Sequence, residues 1–206
     1  MLHVFTPHAG PDLANEVLRA MFAARKSVFV DLLKWDVPVL AGRYEIDRFD
    51  NGHAAYLVLA DAHGAHLASV RLLPTTRPHI LDSFYADLCD QALPHGTDVF
   101  EITRFCLDRR LRAAPRREAR DTLVMALAQY ALENGIAAYS AVAPTGWARQ
   151  IVAFGWHAAM LGRPAAIGGE ELAALRIDIA PETPHLLAAA GIRPAGEHSR
   201  TRCAAA

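Results

Sequence analysis

Arg71 sits in the middle of an otherwise apolar run, Leu67-Ala68-Ser69-Val70-Arg71-Leu72-Leu73. A guanidinium stays charged at any working pH, and burying it without a partner is very costly. A fold that contains this run as a strand must either turn Arg71 to solvent from one sheet face or bring a carboxylate to it. Asp47 and Asp50 stand just upstream, in Tyr44-Glu45-Ile46-Asp47-Arg48-Phe49-Asp50. We take the partnered arrangement as the expectation, with a solvated acidic loop as its alternative. Ile46 and Phe49 are apolar anchors for the segment, and a single turn would face both carboxylates one way, ready to hold a cation or orient an arginine.

The same question recurs in Phe100-Glu101-Ile102-Thr103-Arg104-Phe105. In a regular strand Glu101 and Arg104 point to opposite faces, because parity alternates. A β-bulge between them would put both on one face and leave a backbone N–H unpaired. An N–H of that kind can stabilise a developing oxyanion while the carboxylate accepts a proton, which suits acyl transfer from a thioester. An ordinary charged edge strand is the plainer reading. Further upstream, Phe29 is a candidate core residue. Trp35, between Lys34 and Asp36, offers an aromatic face suited to a cationic or heteroaromatic ligand.

Around these residues the chain reads as one mixed domain. A strand over Leu2–Phe5 precedes an amphipathic helix whose inner face is Leu13, Val17, Ala20, Met21 and Ala24. Residues 25–38 lack clear periodicity. Two apolar runs, Ala55–Ala60 and His66–Leu73, flank Asp61–Ala65 as a hairpin. A short helix is expected over Leu81–Gln91 and a strong strand over Asp98–Asp108. A helix opened by Pro115 and closed by Asn134-Gly135 carries Val124, Leu127, Ala128 and Ala131 inward. Then follow a strand (Ile136–Ala143), a helix (Thr145–Phe154), strands over His157–Leu161 and Leu172–Ile179, and a terminal helix near Pro184–Ala190. That order predicts an α/β (α+β) fold, a central mixed sheet flanked by helices. Residues 1–206 are expected to form a single domain, with about 193–206 as a flexible tail.

Composition closes off several classes of function. Apolar residues make up 52% and charged residues 21% of the 206, which fits a packed core. The formal net charge is −1, so no global field draws the chain to nucleic acid or an anionic membrane. The N-terminus lacks the pattern of a signal peptide, and no apolar run reaches the roughly 20 residues of a membrane span. The three cysteines and ten histidines show no metal-ligand spacing, so no metal is expected and a reducing cytoplasm is the simplest setting. The ending Cys203-Ala204-Ala205-Ala206 formally matches a prenylation box, but an Ala-rich tail gives the same letters.

Arg25-(x)3-Phe29-(x)5-Trp35, Asp47-(x)2-Asp50, Arg71 and Glu101-(x)2-Arg104-Phe105 together resemble the pattern of the LuxI-type N-acyl-homoserine lactone synthases. The resemblance covers the first 110 residues or so closely. It continues more weakly through Tyr139-Ser140-Ala141-Val142, Gly155-Trp156 and Ile167-Gly168-Gly169. It implies an acetyltransferase-like fold and a reaction in which the amine of S-adenosylmethionine, a substrate and not a bound cofactor, attacks an acyl thioester. The product then lactonises and releases methylthioadenosine. Carried over residue by residue, the resemblance places Arg25, Phe29 and Trp35 on S-adenosylmethionine. It assigns Asp47, Asp50, Arg71 and Arg104 to a structuring ion network, and Glu101 to the part of base, acting directly or through a water. Thr103, Ser140 and Ala141 are the candidates for acyl selectivity.

Arg109, Arg110, Arg112, Arg116 and Arg117, with Arg120 beyond, concentrate positive charge in a stretch without glycine. A glycine-rich pyrophosphate turn is therefore not expected there. Acyl carrier protein is the default partner that the resemblance implies for this patch, with acyl-CoA second. Two rival readings remain: another acetyltransferase-fold N-acyltransferase using acyl-CoA, and a non-catalytic regulator binding nucleic acid.

Overall fold

The computed structural model describes residues 1–6, 12–194 and 200–203. Most of the expected flexible tail, and the alanines of the prenylation-type ending, lie outside them.

In chain order the first elements are β1 (Leu2–Phe5), α1 (Glu16–Arg25), a π-helical segment (Lys26–Leu32), β2 (Val39–Leu40), β3 (Tyr44–Glu45), β4 (Ala55–Ala60) and β5 (His66–Pro74). Next come α2 (Ile80–Phe84), a 3-10 turn (Ala86–Leu88), β6 (Val99–Leu107), α3 (Ala113–Asn134), β7 (Ala138–Pro144) and α4 (Thr145–Val152). The last are β8 (His157–Met160), β9 (Ala165–Ile167), β10 (Glu170–Asp178), α5 (Thr183–Ala189) and β11 (Arg200–Cys203). Helices alternate with strands that pair both parallel and antiparallel, so the class is mixed α/β as expected. Two compact units form: Met1–Arg71 with Arg104–Leu123 and Pro194–Ala206, and Leu72–Thr103 with Val124–Arg193.

In the first unit the strand order is β11-β1-β4-β5-β6. β1 runs antiparallel to β4 and parallel to β11. Asp61 fixes the β4–β5 hairpin, its Oδ1 accepting from the N–H groups of His63 and Ala65 at 2.8 and 2.9 Å. α1 begins at Asn15, whose side chain accepts from the N–H groups of Val17 and Leu18. Its buried face is Leu18, Met21, Phe22 and Arg25, not the alanine-rich face expected from periodicity. Spacings of three, one and three residues make this an ordinary core stripe whose last position is an arginine. Apolar periodicity scores that position as polar, which rotated the expected face. The irregular stretch that follows is explained by the π-helical segment: Leu33 N–H reaches back five residues to the carbonyl of Val28 at 2.9 Å.

In the second unit β6 pairs in parallel with β7, while β7 and β8 run antiparallel to β10. A parallel pair needs a crossover, and α3 supplies the connecting chain. Val124, Leu127, Ala128 and Ala131 are buried as expected, and Gly135 takes φ +66° past the helix end. Tyr139 O–H donates to the Leu127 carbonyl at 3.1 Å, tying β7 to α3. The expected helix over 81–91 is instead α2 followed by the 3-10 turn, with Leu81 and Leu88 packed on Ala174 of β10. β2, β3, β9 and β11 are four short strands that the sequence pattern did not signal.

Candidate active site

Three arginines and three carboxylates of the first unit close an alternating ring. Arg25 Nη1 and Nη2 meet Asp50 Oδ1 and Oδ2, each at 2.8 Å, and Arg25 Nε donates to Glu45 Oε2 at 2.5 Å. Arg104 Nη2 donates to Glu45 Oε1 at 3.0 Å and to Asp47 Oδ2 at 2.7 Å. Arg71 Nη1 lies 2.6 Å from Asp47 Oδ1 and 3.0 Å from Asp50 Oδ1. Each carboxylate thus bridges two guanidinium groups, and the six formal charges cancel. Tyr56 O–H adds a bond to Asp50 Oδ1 at 3.0 Å.

The local chain explains this convergence. Asp50 N–H donates to the Asp47 carbonyl at 3.0 Å, and Asp47 N–H donates to Asp50 Oδ2 at 2.8 Å. One turn therefore faces both carboxylates toward Arg71, as the partnered reading of that strand required. Burial alone would raise the Asp50 carboxyl, but Arg25 and Arg71 hold it well below the usual carboxylate range. Asp47 is lowered likewise: burial opposes the shift, and Arg71 and Arg104 win. Oxygen atoms of Glu45, Asp47 and Asp50 lie within 4.8 Å of one another, close enough for a metal, yet all three carboxylates are engaged by guanidinium groups.

Arg25, expected at the S-adenosylmethionine pocket, is 1% exposed, with Nε, Nη1 and Nη2 all engaged in the ring. Glu45 is the member that the sequence reading passed over. Phe29 and Trp35 stack with centroids 4.7 Å apart and planes 14° apart. Lys34, just before Trp35, adopts φ +60°, and Trp35 N–H donates to the Phe29 carbonyl at 2.8 Å. The Arg104 guanidinium lies 5.6 Å from each ring centroid, so the aromatic pair is held against the ring of charges. Arg104 itself has φ +52° inside β6, a left-handed residue of the kind that breaks strand alternation at a bulge.

Glu101 belongs to the second unit and is fully buried. Its Oε2 accepts from Ile80 N–H at 2.7 Å and its Oε1 from Leu81 N–H at 2.8 Å. Ser140 stands opposite Glu101 in the β6–β7 register, with a buried Oγ that has no protein partner. Thr103 and Ala141 are also buried.

All five candidate docking arginines of the first unit are exposed. Arg110 is gripped by Asp108, with Nη2 2.6 Å from Oδ2, so its charge is partly cancelled. Arg116 Nη1 donates to the Asp108 carbonyl at 3.2 Å and Arg109 Nη1 to the Ser27 carbonyl at 3.4 Å, leaving both side chains at the surface.

The model of the family described as autoinducer synthase matches residues 12–186. The chain belongs to that family. It is 33% identical over 181 residues to an acyl-homoserine-lactone synthase of Ralstonia nicotianae, covering 85% of this chain and 89% of that one. Among solved structures it resembles MesI, a CoA-dependent acyl-homoserine lactone synthase, with TM-score 0.81 and 28% identity over 95% of this chain and 97% of that one. It also resembles TofI, solved with an inhibitor and MTA, with TM-score 0.73 and 28% identity over 93% and 98%. An acyl-CoA N-acyltransferase from Pseudomonas aeruginosa, at TM-score 0.58 and 18% identity over 85% and 97%, shares the fold. As a member of the autoinducer synthase family the chain is an acyltransferase with an acetyltransferase-like fold. No helix among the described residues is long and apolar enough to cross a membrane.

Proposed function

We propose that this autoinducer synthase acylates S-adenosylmethionine with an acyl thioester and closes the product to an acyl-homoserine lactone. The amine nitrogen attacks the thioester carbonyl; a C–N bond forms, the C–S bond breaks, and the thiol leaves. Glu101 takes the proton that the nitrogen sheds, directly or through a water. An α-amine has an ordinary pKa near ~8, so much of it arrives protonated at neutral pH and needs such an acceptor. The methionyl carboxylate then displaces sulfur from Cγ, expelling methylthioadenosine and closing the lactone.

Phe29 and Trp35 supply a stacked aromatic wall suited to the sulfonium and adenine of this substrate. Arg25 shapes the pocket of this substrate from within the charge ring, beside Asp47, Asp50, Arg71 and Arg104. Thr103, Ser140 and Ala141 face the acyl group, and the Ser140 hydroxyl is available to an oxygen on the chain. Arg109, Arg112, Arg116 and Arg117 receive the donor, with Arg110 contributing less because Asp108 already binds it. Acyl carrier protein is the first reading of that donor, since exposed arginines suit an acidic protein surface. Likeness to the CoA-dependent MesI favours acyl-CoA as the second. The reaction takes place in the cytoplasm, and neither a metal nor a nucleic acid takes part.

The observation that carries this reading is the family match over residues 12–186, together with the ring that Arg25, Asp47, Asp50, Arg71 and Arg104 of the motif close with Glu45. The test is incubation with S-adenosylmethionine and a panel of acyl thioesters, straight, branched and aromatic, on both carriers. A lactone product and methylthioadenosine should appear by mass. No lactone from any donor would overturn the proposal. Equal rates from both carriers would remove a carrier-specific role for the arginines.

A further inference from the structure

The two N–H groups that hold Glu101 come from consecutive residues, Ile80 and Leu81, which open α2 directly after a change of chain conformation at His79. His79 is extended, with φ −136° and ψ −179°, and helical geometry starts at Ile80. Three bonds hold His79 in place. Its N–H donates to Asp82 Oδ1 at 2.8 Å, and its carbonyl accepts from Ser83 N–H at 3.1 Å. Its ring Nδ1 lies 2.9 Å from the Arg77 carbonyl. A carbonyl can only accept, so Nδ1 carries a proton toward it, and Asp82 Oδ1 lies 3.5 Å from the same nitrogen. Nε2 is buried and has no protein partner, in a residue only 2% exposed. Leaving a buried polar nitrogen unpaired is costly, and of the two ring nitrogens it is Nδ1 that meets the backbone, at the Arg77 carbonyl.

We infer that His79 is a positioning residue for Glu101: its Nδ1–H holds the Arg77 carbonyl and thereby aims the N–H groups of Ile80 and Leu81 at the carboxylate. This rests on the reading of Glu101 as proton acceptor. Because His79 acts through Glu101, its loss lowers the rate of the chemical step and leaves substrate capture alone. An amide at the δ position, as in asparagine, can replace Nδ1–H; an amide one bond further out, as in glutamine, cannot.

The experiment measures kcat, KM for S-adenosylmethionine and thermal midpoint for His79→Asn, His79→Gln and Glu101→Gln, and for the double variant His79→Gln/Glu101→Gln. We expect His79→Gln to lose at least about 20-fold in kcat with KM within about two-fold, and His79→Asn to stay within about three-fold of wild type. Added to Glu101→Gln, His79→Gln should cost less than about two-fold more, because two residues acting through one step are not additive. Wild-type kcat in His79→Gln, a multiplicative loss in the double variant, or equal losses of kcat and thermal midpoint in both single His79 variants would each overturn the inference. If Glu101→Gln turns over like wild type, the Glu101 reading falls and this one with it; lactone formation by wild type tests the overall function separately.

Discussion

Arg25 and Asp50 face each other through two parallel contacts of 2.8 Å, and neither side chain reaches solvent. Removing one partner of a buried pair strands the other. Arg25→Met or Asp50→Leu should each destabilise the fold by about 3–5 kcal/mol. Together they should cost less than the sum, since Glu45, Arg104, Asp47 and Arg71 remain a neutral chain. Urea unfolding of the three variants checks this; strict additivity would show that the ring does not act as a unit.

Glu101→Gln keeps the shape of the side chain and removes the proton acceptor. We expect kcat to fall by about 10²–10⁴-fold, with KM for S-adenosylmethionine little changed. Steady-state rates against that substrate decide it, and an unchanged kcat removes Glu101 from the mechanism.

Acid should destabilise the protein in two stages. Burial holds His66 down to about 4, against an ordinary value of 6.5, with Asp108 only partly opposing it. The folded value lies below the unfolded one, so the unfolded chain binds the proton first and stability falls between pH 6.5 and 4. At most this amounts to about 3 kcal/mol. Asp47 and Asp50, also lowered, add stability that is full above 3.8 and drains away below it. His66→Gln should flatten the upper stage and leave the lower. Identical pH–stability curves for the two proteins would refute the assignment.

Cys106 is buried against Val28 and Phe29, and burial pushes its thiol up to about 12. Cys89 is partly exposed. Iodoacetamide at pH 8 should alkylate Cys89 in the native protein and reach Cys106 only with unfolding. Peptide mapping by mass would expose the opposite order.

The sequence made the partnering of Arg71 legible because a charge in an apolar strand admits few solutions. Asp47 and Asp50 were readable for a related reason: a single turn of a segment anchored by Ile46 and Phe49 would face both carboxylates one way, and the structure has that turn. Glu45 was not readable, since it sits in a two-residue strand where no period distinguishes inward from outward. Arg25 comes to the S-adenosylmethionine pocket through the family resemblance alone; its ring partners arrive from 20 and 25 residues away, beyond the reach of helical periodicity. The stretch 26–32 defeated periodicity because hydrogen bonding to the fifth residue shifts the side-chain period away from 3.6. The strands from Ala55 to Leu73 were clear as apolar runs, buried on both faces, and the long helix after Pro115 by Val124, Leu127, Ala128 and Ala131.

The closed circuit of Arg25, Glu45, Arg104, Asp47, Arg71 and Asp50 bears on how this sequence can drift. Its members come from four separate stretches of chain, yet any neutralising change at one leaves an odd number of charges enclosed in the interior. A descendant with a different set would have to alter two stretches in the same step, or survive a generation carrying an unbalanced charge. The helix, the acidic turn and two strands are therefore bound to one another's history, even where nothing in the linear sequence connects them.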